Sequence, residues 1–495
     1  MALMLCSTGA WAATINLASV STDITAQNND VLTGTLGSNV KVSIADNATV
    51  TLNRVTINGT HNSSYLWAGI TLLGNATIVL EGTNTVKGFN QSYSGIFVPE
   101  GCTLTIQGTG SLTASNNGWA AGIGGCYGTA CGNIVIEGGT IKATGGYNGA
   151  GIGSCNASCG DITISGGTVT ATGGESCAGI GSGTGNGASC GDITITGGTV
   201  TATGGDSAAG IGSGQSDVTV NSCGDITITG GTVTAKGTYG PGIGSAVGST
   251  TLKTSCGKIT IKNSVNSVTA NGFFAASSIG AGSKGECGTI TIGGKVVSSI
   301  TASSFTYPVS MTAQAADGAY WATYYNSTYS YQADVNTTVL MVKLDGSSLT
   351  TTAVADRIIP IEQGVVLKST DATVKLYFAT SVSGADYTTN NSLTGTNSNI
   401  SNPGNAYVLN YTAENGVGFY KLKASGTIGA NKAYLNGGGS AREFFSLNDD
   451  ATSIGATLND NAEMTNENVV YDLAGRRVEN PVKGIYIVNG KKVIF

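Results

Sequence analysis

The carboxylates of this sequence that could do chemistry recur at two fixed positions of a repeat. They are Asp161, Asp192 and Asp225, each after Cys-Gly, and Glu175 and Asp206, each after Thr-Gly-Gly. A catalytic site needs different residue types that converge at one point, whereas these positions repeat one type. No Arg occurs between positions 55 and 356, so the base of a lyase is not evident, nor are the paired carboxylates of a glycoside hydrolase. The pattern predicts a protein that is not an enzyme.

The Asp that follows each Cys-Gly pair is expected to bond the backbone of its own turn, as corner Asp residues do. Calcium binding by this column is the alternative. Cysteine keeps one position too, because seven cysteines each begin a unit. They are Cys102, Cys131, Cys159, Cys190, Cys223, Cys256 and Cys287. One residue type at one corner of stacked units predicts a ladder of small, polarisable side chains.

Two alternatives for the cysteines stay open. Loop disulfides could join Cys126 to Cys131 and Cys155 to Cys159, since export permits oxidation. The same four thiols could instead hold a metal ion, in the way that closely spaced cysteines hold zinc.

One column of the repeat changes its residue type from unit to unit. Before the Gly-Ile pair the early units carry large aromatic rings. They are Tyr65, Trp67, Tyr93, Trp119 and Tyr147. Rings stacked one unit apart would form a strip on which sugar rings could lie, with their apolar faces against the aromatic faces. This strip is the candidate carbohydrate-binding site, with Glu175 and Asp206 as nearby candidates, and the alternative is that the rings cap the core.

A repeat of 27 to 33 residues must position these side chains. Nine units cover 47–305, and each holds three short strand patterns separated by glycine-rich corners. In segments such as DITI and TVTAT apolar and polar residues alternate, so one face is buried and the other is exposed. One unit cannot bury its apolar face alone, whereas stacked units bury a continuous core. The sequence therefore predicts an all-β fold, a parallel β-helix of about nine rungs with three strands each.

Segments of different composition flank the repeat. Residues 13–46 are expected to cap the open N-terminal end of the β-helix. Residues 306–450 contain short strand patterns with turn signals between them and predict an antiparallel β-sandwich module. The polar segment 451–466 is interpreted as a linker, and 467–495 as a separate small β domain.

Composition and the N-terminus indicate where the protein acts. A net charge of −6 offers no basic surface for nucleic acid, and no apolar run approaches the ~20 residues of a membrane span. Residues 1–12 end in Ala-Trp-Ala, the A-x-A pattern of a signal-peptidase site, and we interpret them as the remnant of a signal peptide. We therefore expect an exported protein, secreted or held at the cell surface, with no transmembrane span and no nucleic-acid partner.

The tail VVYDLAGRRVENPVKGIYIVNGKKVIF (469–495) resembles the C-terminal sorting domain of type IX secretion cargo in the Bacteroidetes. The residues that carry the resemblance include Gly475, Arg476, Arg477, Gly484, Tyr486, Gly490 and Lys491. The resemblance implies that the tail engages the outer-membrane secretion machinery. It also implies a destination on the outer-membrane exterior or outside the cell.

The units themselves, with GGTVTATGG, AGIGSG and CGDITI, resemble right-handed parallel β-helix proteins of a bacterial carbohydrate-binding domain family. That resemblance implies binding of plant-type or acidic polysaccharide. It also implies calcium, for which Glu175 and Asp206 are the candidate ligands, and no other cofactor is expected. We therefore expect a non-catalytic, carbohydrate-binding β-helix protein whose partner is a polysaccharide or glycan. The alternative is a structural or adhesive stalk that binds a protein partner, and a polysaccharide lyase or hydrolase is the least favoured reading.

Overall fold

A computed structural model describes residues 12–437, except 61, 186, 217, 250, 275–276 and 347, together with 442–447 and four short strands near the C-terminus. The fold is nearly all β. One short helix, Tyr387–Asn390, and one 3-10 turn, Leu17–Ser19, are the helical segments of this part of the chain. The strands form a parallel β-helix followed by antiparallel sheets, which confirms the predicted fold class.

A short parallel sheet at the cysteine corner contains Ser189–Cys190, Ser222–Cys223, Ser255–Cys256 and Glu286–Cys287. Each turn of the β-helix also contributes one strand to each of three longer parallel sheets, and we number the turns 1 to 8 by their first strands. These are Ala48–Ile57, Ala76–Glu81, Thr103–Gly108, Asn133–Ile136, Ile162–Ile164, Ile193–Ile195, Ile226–Ile228 and Ile259–Ile261. The strand of turn 1 is long enough to run on into the second sheet. Equal residues pair across the sheet, such as Ile162 with Ile193 and Ile193 with Ile226.

The second sheet continues from the end of the turn 1 strand. Its further strands are Thr83–Lys87, Ser111–Ser115, Thr140–Thr144, Thr168–Thr172, Thr199–Thr203, Thr232–Gly237 and Ser267–Gly272. The third strands are shorter. They are Ile70–Leu72, Ile96–Phe97, Ile123–Gly124, Ile152–Gly153, Ile180–Gly181, Ile211–Gly212, Ile243–Ser245 and Ile279–Ala281. The core is the column of inward Ile, Val and Ala residues, such as Ile164, Val169 and Ala171, which are fully buried.

Eight complete turns form, one fewer than the nine units that the sequence predicts. The ninth unit begins with a parallel strand, Ile290–Ile292, but then folds back as the antiparallel strand Lys295–Val297. Its second sheet position is taken by Ser304–Tyr307, which pairs antiparallel with Ser267–Gly272. The coil therefore ends where a strand reverses direction, which repeat spacing alone does not reveal.

The two ends of the coil are built differently. At the N-terminal end the strands Thr14–Asn16, Ile24–Ala26, Val31–Thr35 and Val42–Ile44 extend the parallel sheets. At the other end Tyr307 is fully buried in a core that runs from the last turns into the C-terminal module. Its ring lies 5.4 Å from that of Phe378, and its hydroxyl hydrogen-bonds Asn263. The β-helix and the first layer of the module thus share one hydrophobic core.

Glycine is required at the second residue of the third strand in turns 3 to 8. Gly181 has φ of +135°, and a Cβ added there would lie 1.9 Å from the carbonyl oxygen of Gly212 in the next turn. The equivalent glycines of turns 3 to 8 all have φ between +124° and +138°. A side chain would clash with neighbouring backbone as well as strain its own, so this edge of the coil is built from glycine.

The antiparallel module has three stacked sheets where the sequence predicts a two-layered sandwich. The first contains Val309–Thr312, Tyr331–Ala333, Ile358–Ile359 and Thr373–Phe378. The middle sheet contains Gln314–Ala316, Ala319–Tyr324, Thr337–Asp345, Ser348–Ala353 and Val365–Ser369. The third contains Leu393–Thr396, Ala406–Thr412, Gly416–Lys421, Lys432–Asn436 and Phe444–Ser446, and Ile400–Ser401 pairs separately with Thr427–Ile428. Because the middle sheet is buried on both faces, Val365 packs into one core and Val366 into the other.

The tail contributes one antiparallel sheet. Its strands are Val470–Tyr471, Arg477–Val478, Ile485–Val488 and Lys491–Ile494. Arg477, Tyr486 and Lys491 of the predicted sorting signal lie in these strands. Gly475, Arg476, Gly484 and Gly490 lie outside the described residues, as do 451–466 and all but the last residue of 1–12. Among the helices described, none is long and apolar enough to cross a membrane.

Candidate functional site: a column of loops

The Asp column is a ladder between turns. The Oδ1 atom of Asp161 accepts the backbone N–H of Asp192 at 2.9 Å, and that of Asp192 accepts the N–H of Asp225 at 2.8 Å. Asn133 starts this ladder by accepting the N–H of Asp161. The prediction that each Asp bonds the backbone of its own turn was therefore wrong. The backbone N–H that each Asp accepts belongs to the next turn. The role is still a structural one.

Cysteine forms a second ladder, two residues before the Asp position in the chain. Disulfides join Cys131 to Cys159 and Cys256 to Cys287, with Cα atoms 4.4 and 4.7 Å apart. Adjacent turns bring paired residues within the ~4.4–6.8 Å that a disulfide spans. Cys190 and Cys223 lie in register between these bonds as thiols. A hydrogen bond with Cys190, added to burial, raises the pKa of Cys223 well above its ordinary value.

The ladder confirms the stacked arrangement and replaces the loop disulfides that the sequence left open. Cys126 and Cys155 are buried thiols, and the cysteines proposed as their partners are bonded to each other across turns. The Cys155 thiol donates to the carbonyl oxygen of Trp119 at 2.7 Å, and the Cys177 thiol donates to that of Tyr147 at 3.5 Å. Burial raises the pKa of Cys177 to about 12. These thiols hold the overlying loops while they remain protonated.

The loops between the second and third strands of turns 3 to 8 lie one above another, and we call them the loop column. They carry, in order, Trp119, Tyr147, Glu175, Asp206, Tyr239 and Phe274. Backbone hydrogen bonds join successive loops: Glu175 N–H donates to Tyr147 at 3.2 Å, and Asp206 N–H donates to Glu175 at 2.6 Å. The Tyr239 N–H then donates to Asp206 at 2.7 Å. The structure thus brings the predicted Tyr147, Glu175 and Asp206 into one surface line.

The aromatic rings and the carboxylates of the loop column are exposed to solvent. Tyr147 is 58% exposed and Trp119 is 39% exposed, and both carboxylates are exposed. A hydrogen bond with Glu175, with the charge of that carboxylate, raises the pKa of Tyr147. Large apolar rings held in water next to carboxylates are unusual for a purely structural surface.

The three earlier aromatic residues of the predicted strip are placed differently. Tyr65, Trp67 and Tyr93 are half-buried. Tyr65 and Trp67 pack against the core, and the Trp67 ring lies 5.8 Å from that of the buried Phe89. At turn 1 the rings therefore pack against the core, and the exposed rings begin at turn 3.

Sequence reasoning missed three exposed rings. Tyr127 follows the third strand of its turn, yet its ring lies 5.5 Å from that of Trp119. Phe273 and Phe274 precede the last third strand and are 64% and 73% exposed. The Phe pair stands where earlier units carry their aromatic residue, so that spacing was an available signal. The position of Tyr127 depends on how the turn closes and carries no such signal.

The metal prediction can be compared with the donor atoms present. No group of three or more His, Cys, Asp or Glu residues suited to a metal occurs among the residues described. Glu175 and Asp206 supply two carboxylates from adjacent turns, whereas calcium takes about six to eight oxygen ligands. This pair alone does not fit calcium, and calcium stays a prediction from the resemblance.

The coil and its inter-turn ladders define a parallel β-helix repeat protein. A family model described as a beta helix repeat matches residues 134–155, 162–184, 193–215 and 226–248. Each segment starts in a first strand and ends just after a third strand, in turns 4 to 7. Comparison with curated proteins and with solved structures found no match to this chain. The repeat class is therefore established, and carbohydrate binding, export and the sorting tail remain predictions.

Proposed function

We propose that this protein binds polysaccharide without catalysis, and that it is secreted or displayed at the cell surface. The observation that carries the proposal is the loop column, where exposed rings and carboxylates follow one another turn by turn. At the corner before the first strands of turns 5 to 7 the coil instead repeats one residue type, and each Asp there lies in a ladder in which Asp161 and Asp192 accept backbone N–H groups of the next turn. A surface that departs from the repeat and exposes aromatic rings has a role outside the fold.

The chemistry of the column suits sugars. An aromatic ring such as Tyr147 offers a large, stiff apolar face with little side-chain entropy to lose. A carboxylate such as Glu175 or Asp206 accepts hydrogen bonds from hydroxyl groups, and charged acceptors form the stronger bonds. Rings that carry the sugar face, with acceptors beside them for the hydroxyls, form a binding surface that needs no reacting group.

Export is supported by sequence features near the two termini. The A-x-A pattern that ends at position 12 suits a signal-peptidase site, and the tail resembles a type IX sorting domain. Two inter-turn disulfides also suit an oxidising compartment. Attachment to the outer-membrane exterior follows if the tail is recognised by that secretion machinery.

The test is affinity electrophoresis of the full chain through gels that contain polygalacturonate, xylan, hydroxyethylcellulose or mucin glycans, each with calcium and with chelator. We expect one polymer to retard the protein, and we expect the double variant Trp119→Ala/Tyr147→Ala to lose that retardation. Val382→Ala is the control, because Val382 is 91% exposed in the C-terminal module. Unretarded migration of folded protein in every gel would overturn the proposal.

A structural stalk is the second candidate, because Tyr65 and Trp67 pack on the core instead of facing solvent. If the coil serves only as a stalk, Trp67→Ala lowers stability and no loop-column variant changes binding to any glycan. A protein partner would then be sought on the C-terminal module.

A further inference from the structure

The loop column carries exposed aromatic rings at both ends. We call Trp119 and Tyr147 the first aromatic platform, and Tyr239 and Phe274, at the far end of the column, the second. The rings of Tyr239 and Phe274 stack with centroids 5.4 Å apart and planes inclined by 29°. Tyr239 is 50% exposed, and Phe274 is 73% exposed. The Phe274 N–H donates to the carbonyl oxygen of Thr238 at 2.9 Å, which ties the last loop to the one before it. This platform is as solvent-exposed as the one at Trp119 and Tyr147.

The two platforms belong to one line of loops. The same chain of inter-turn hydrogen bonds leads from Tyr147 through Glu175 and Asp206 to Tyr239. Strands of neighbouring turns lie ~4.8 Å apart, so the distance from turn 3 to turn 8 is roughly 24 Å. A ligand that used both platforms would have to be extended along the axis of the coil. A pyranose ring is about as long as one turn is high, so such a chain would carry about five sugars.

The middle of this line is negatively charged. Glu175 and Asp206 occupy turns 5 and 6, and the ion pairs described in the structure, Lys253–Glu286 and Lys421–Glu443, involve neither of them. Like charges across an interface are strongly disfavoured. A chain of uronic acids would place its carboxylates against these two groups, whereas a neutral sugar would place hydroxyl donors there.

We propose, building on the carbohydrate-binding function above, that the loop column holds one extended, uncharged polysaccharide chain parallel to the axis of the coil. The two aromatic platforms carry the ends of the bound segment. Glu175 and Asp206 accept hydroxyl hydrogen bonds in its middle and select against uronic acids. This specificity differs from the acidic polysaccharide that the family resemblance implied.

The test measures binding of the full chain to xylo-oligosaccharides and cello-oligosaccharides of two to eight units by calorimetry, with oligogalacturonates of equal length in parallel. We expect affinity for one neutral series to rise at least tenfold between three and six units and then to level off, because a hexamer reaches both platforms. Tyr239→Ala/Phe274→Ala should weaken hexamer binding at least tenfold and trimer binding less than twofold. Glu175→Gln/Asp206→Asn should narrow the preference for neutral chains over oligogalacturonates.

The outcomes separate this inference from the general function. If the length dependence stops at three units and the Tyr239/Phe274 variant binds normally, the column has one platform, and the inference is wrong while carbohydrate binding stands. Oligogalacturonates that bind as tightly as neutral chains would also overturn it. If no sugar polymer retards the protein in the gels, the proposed function fails as well.

Discussion

Two corners of the same coil are built in opposite ways. At the corner before the first strand, turns 5 to 7 repeat Cys and Asp, and side chains such as Cys159, Asp161 and Asp192 bond a neighbouring turn. In the loop column the residue changes from Trp119 and Tyr147 to Glu175 and Asp206, and then to Tyr239. The first corner is exposed to the same solvent, yet its polar atoms are engaged with backbone. The second leaves large rings in water.

The difference shows how to separate structure from function in a repeat protein. A residue that recurs once per turn lies next to the same residue of the neighbouring turns, so contacts within the fold explain its type. A residue that occurs in one turn only has no copy above or below, so the fold does not explain its type. Variation against a regular background is therefore the better guide to a binding surface.

The largest effect should follow from a change to the repeated glycine edge. Gly181→Ala adds a Cβ that would lie 1.9 Å from the Gly212 carbonyl oxygen at a φ of +135°. We expect a loss of stability above about 3 kcal/mol, or failure to fold. Urea unfolding followed by circular dichroism measures it. Gly384→Ala, where an added Cβ meets nothing within 4 Å, is the control, and an equal loss there would contradict the clash.

Removal of an inter-turn disulfide should rank next. The Cys256–Cys287 bond closes 31 residues, so Cys256→Ser/Cys287→Ser should cost about 3–4 kcal/mol on the chain-entropy model. Thermal melts with and without dithiothreitol measure the effect. The reductant should lower the melting temperature of the variant less than that of the parent protein. Cys190→Ser, in the same ladder but without a disulfide, should cost clearly less. Equal losses from both variants would assign the effect to packing.

Substitutions in the Asp ladder should change the stability less, and the direction of the change should depend on the new side chain. Asp192→Ala removes the acceptor of the Asp225 N–H and should cost about 1 kcal/mol. Asp192→Asn keeps an oxygen acceptor, as Asn133 does in the same ladder, and lowers repulsion between neighbouring carboxylates. We expect it to be neutral or stabilising by a few tenths of a kcal/mol. A loss as large as that of the Ala variant would mean that the charge itself is needed.

Changes in the loop column should barely affect folding. Tyr147→Ala and Asp206→Ala alter exposed side chains, so we expect changes within about 0.5 kcal/mol together with loss of polysaccharide retardation. Chemical denaturation and gel retardation of the same samples give both values. If these variants unfold as easily as Asp192→Ala, the contrast between the corners fails and the column is structural.

The smallest effect is electrostatic. Because Glu175 raises the pKa of Tyr147, Glu175→Gln should lower that pKa, so the Tyr147 hydroxyl ionises at a lower pH. Difference spectra of parent and Tyr147→Phe proteins during an alkaline titration isolate this tyrosine. Asp206→Asn, one turn further away, is the matched control and should shift the pKa less. An equal shift of the Tyr147 pKa in both variants would indicate that the negative charge of the surface, and not a specific hydrogen bond with Glu175, raises this pKa.

Much of the β-helix was predictable because each turn repeats the same short sequence pattern. The alternation in Ile162, Thr163 and Ile164 sets which face is buried, and a repeat of near-constant length sets the register. The count of turns was less predictable, since repeat spacing does not show the reversal at Lys295–Val297, where a two-residue turn of Gly293 and Gly294 folds the chain back onto Ile290–Ile292. The candidate site was predictable in part: Tyr147, Glu175 and Asp206 share a loop position, whereas Tyr127 joins Trp119 only through folding.

The sequence alone determined that this chain forms a parallel β-helix, because each unit carries its own strands, corners and apolar face. Only the tertiary structure decided which cysteines bond, since partners such as Cys131 and Cys159 are 28 residues apart in the chain and 4.4 Å apart in space. It also decided which aromatic residues face solvent. Trp67 and Trp119 look alike in sequence, but Trp67 packs against the core beside the buried Phe89, whereas Trp119 is 39% exposed. The burial of a side chain depends on the residues packed around it, and in this coil those residues belong to other turns.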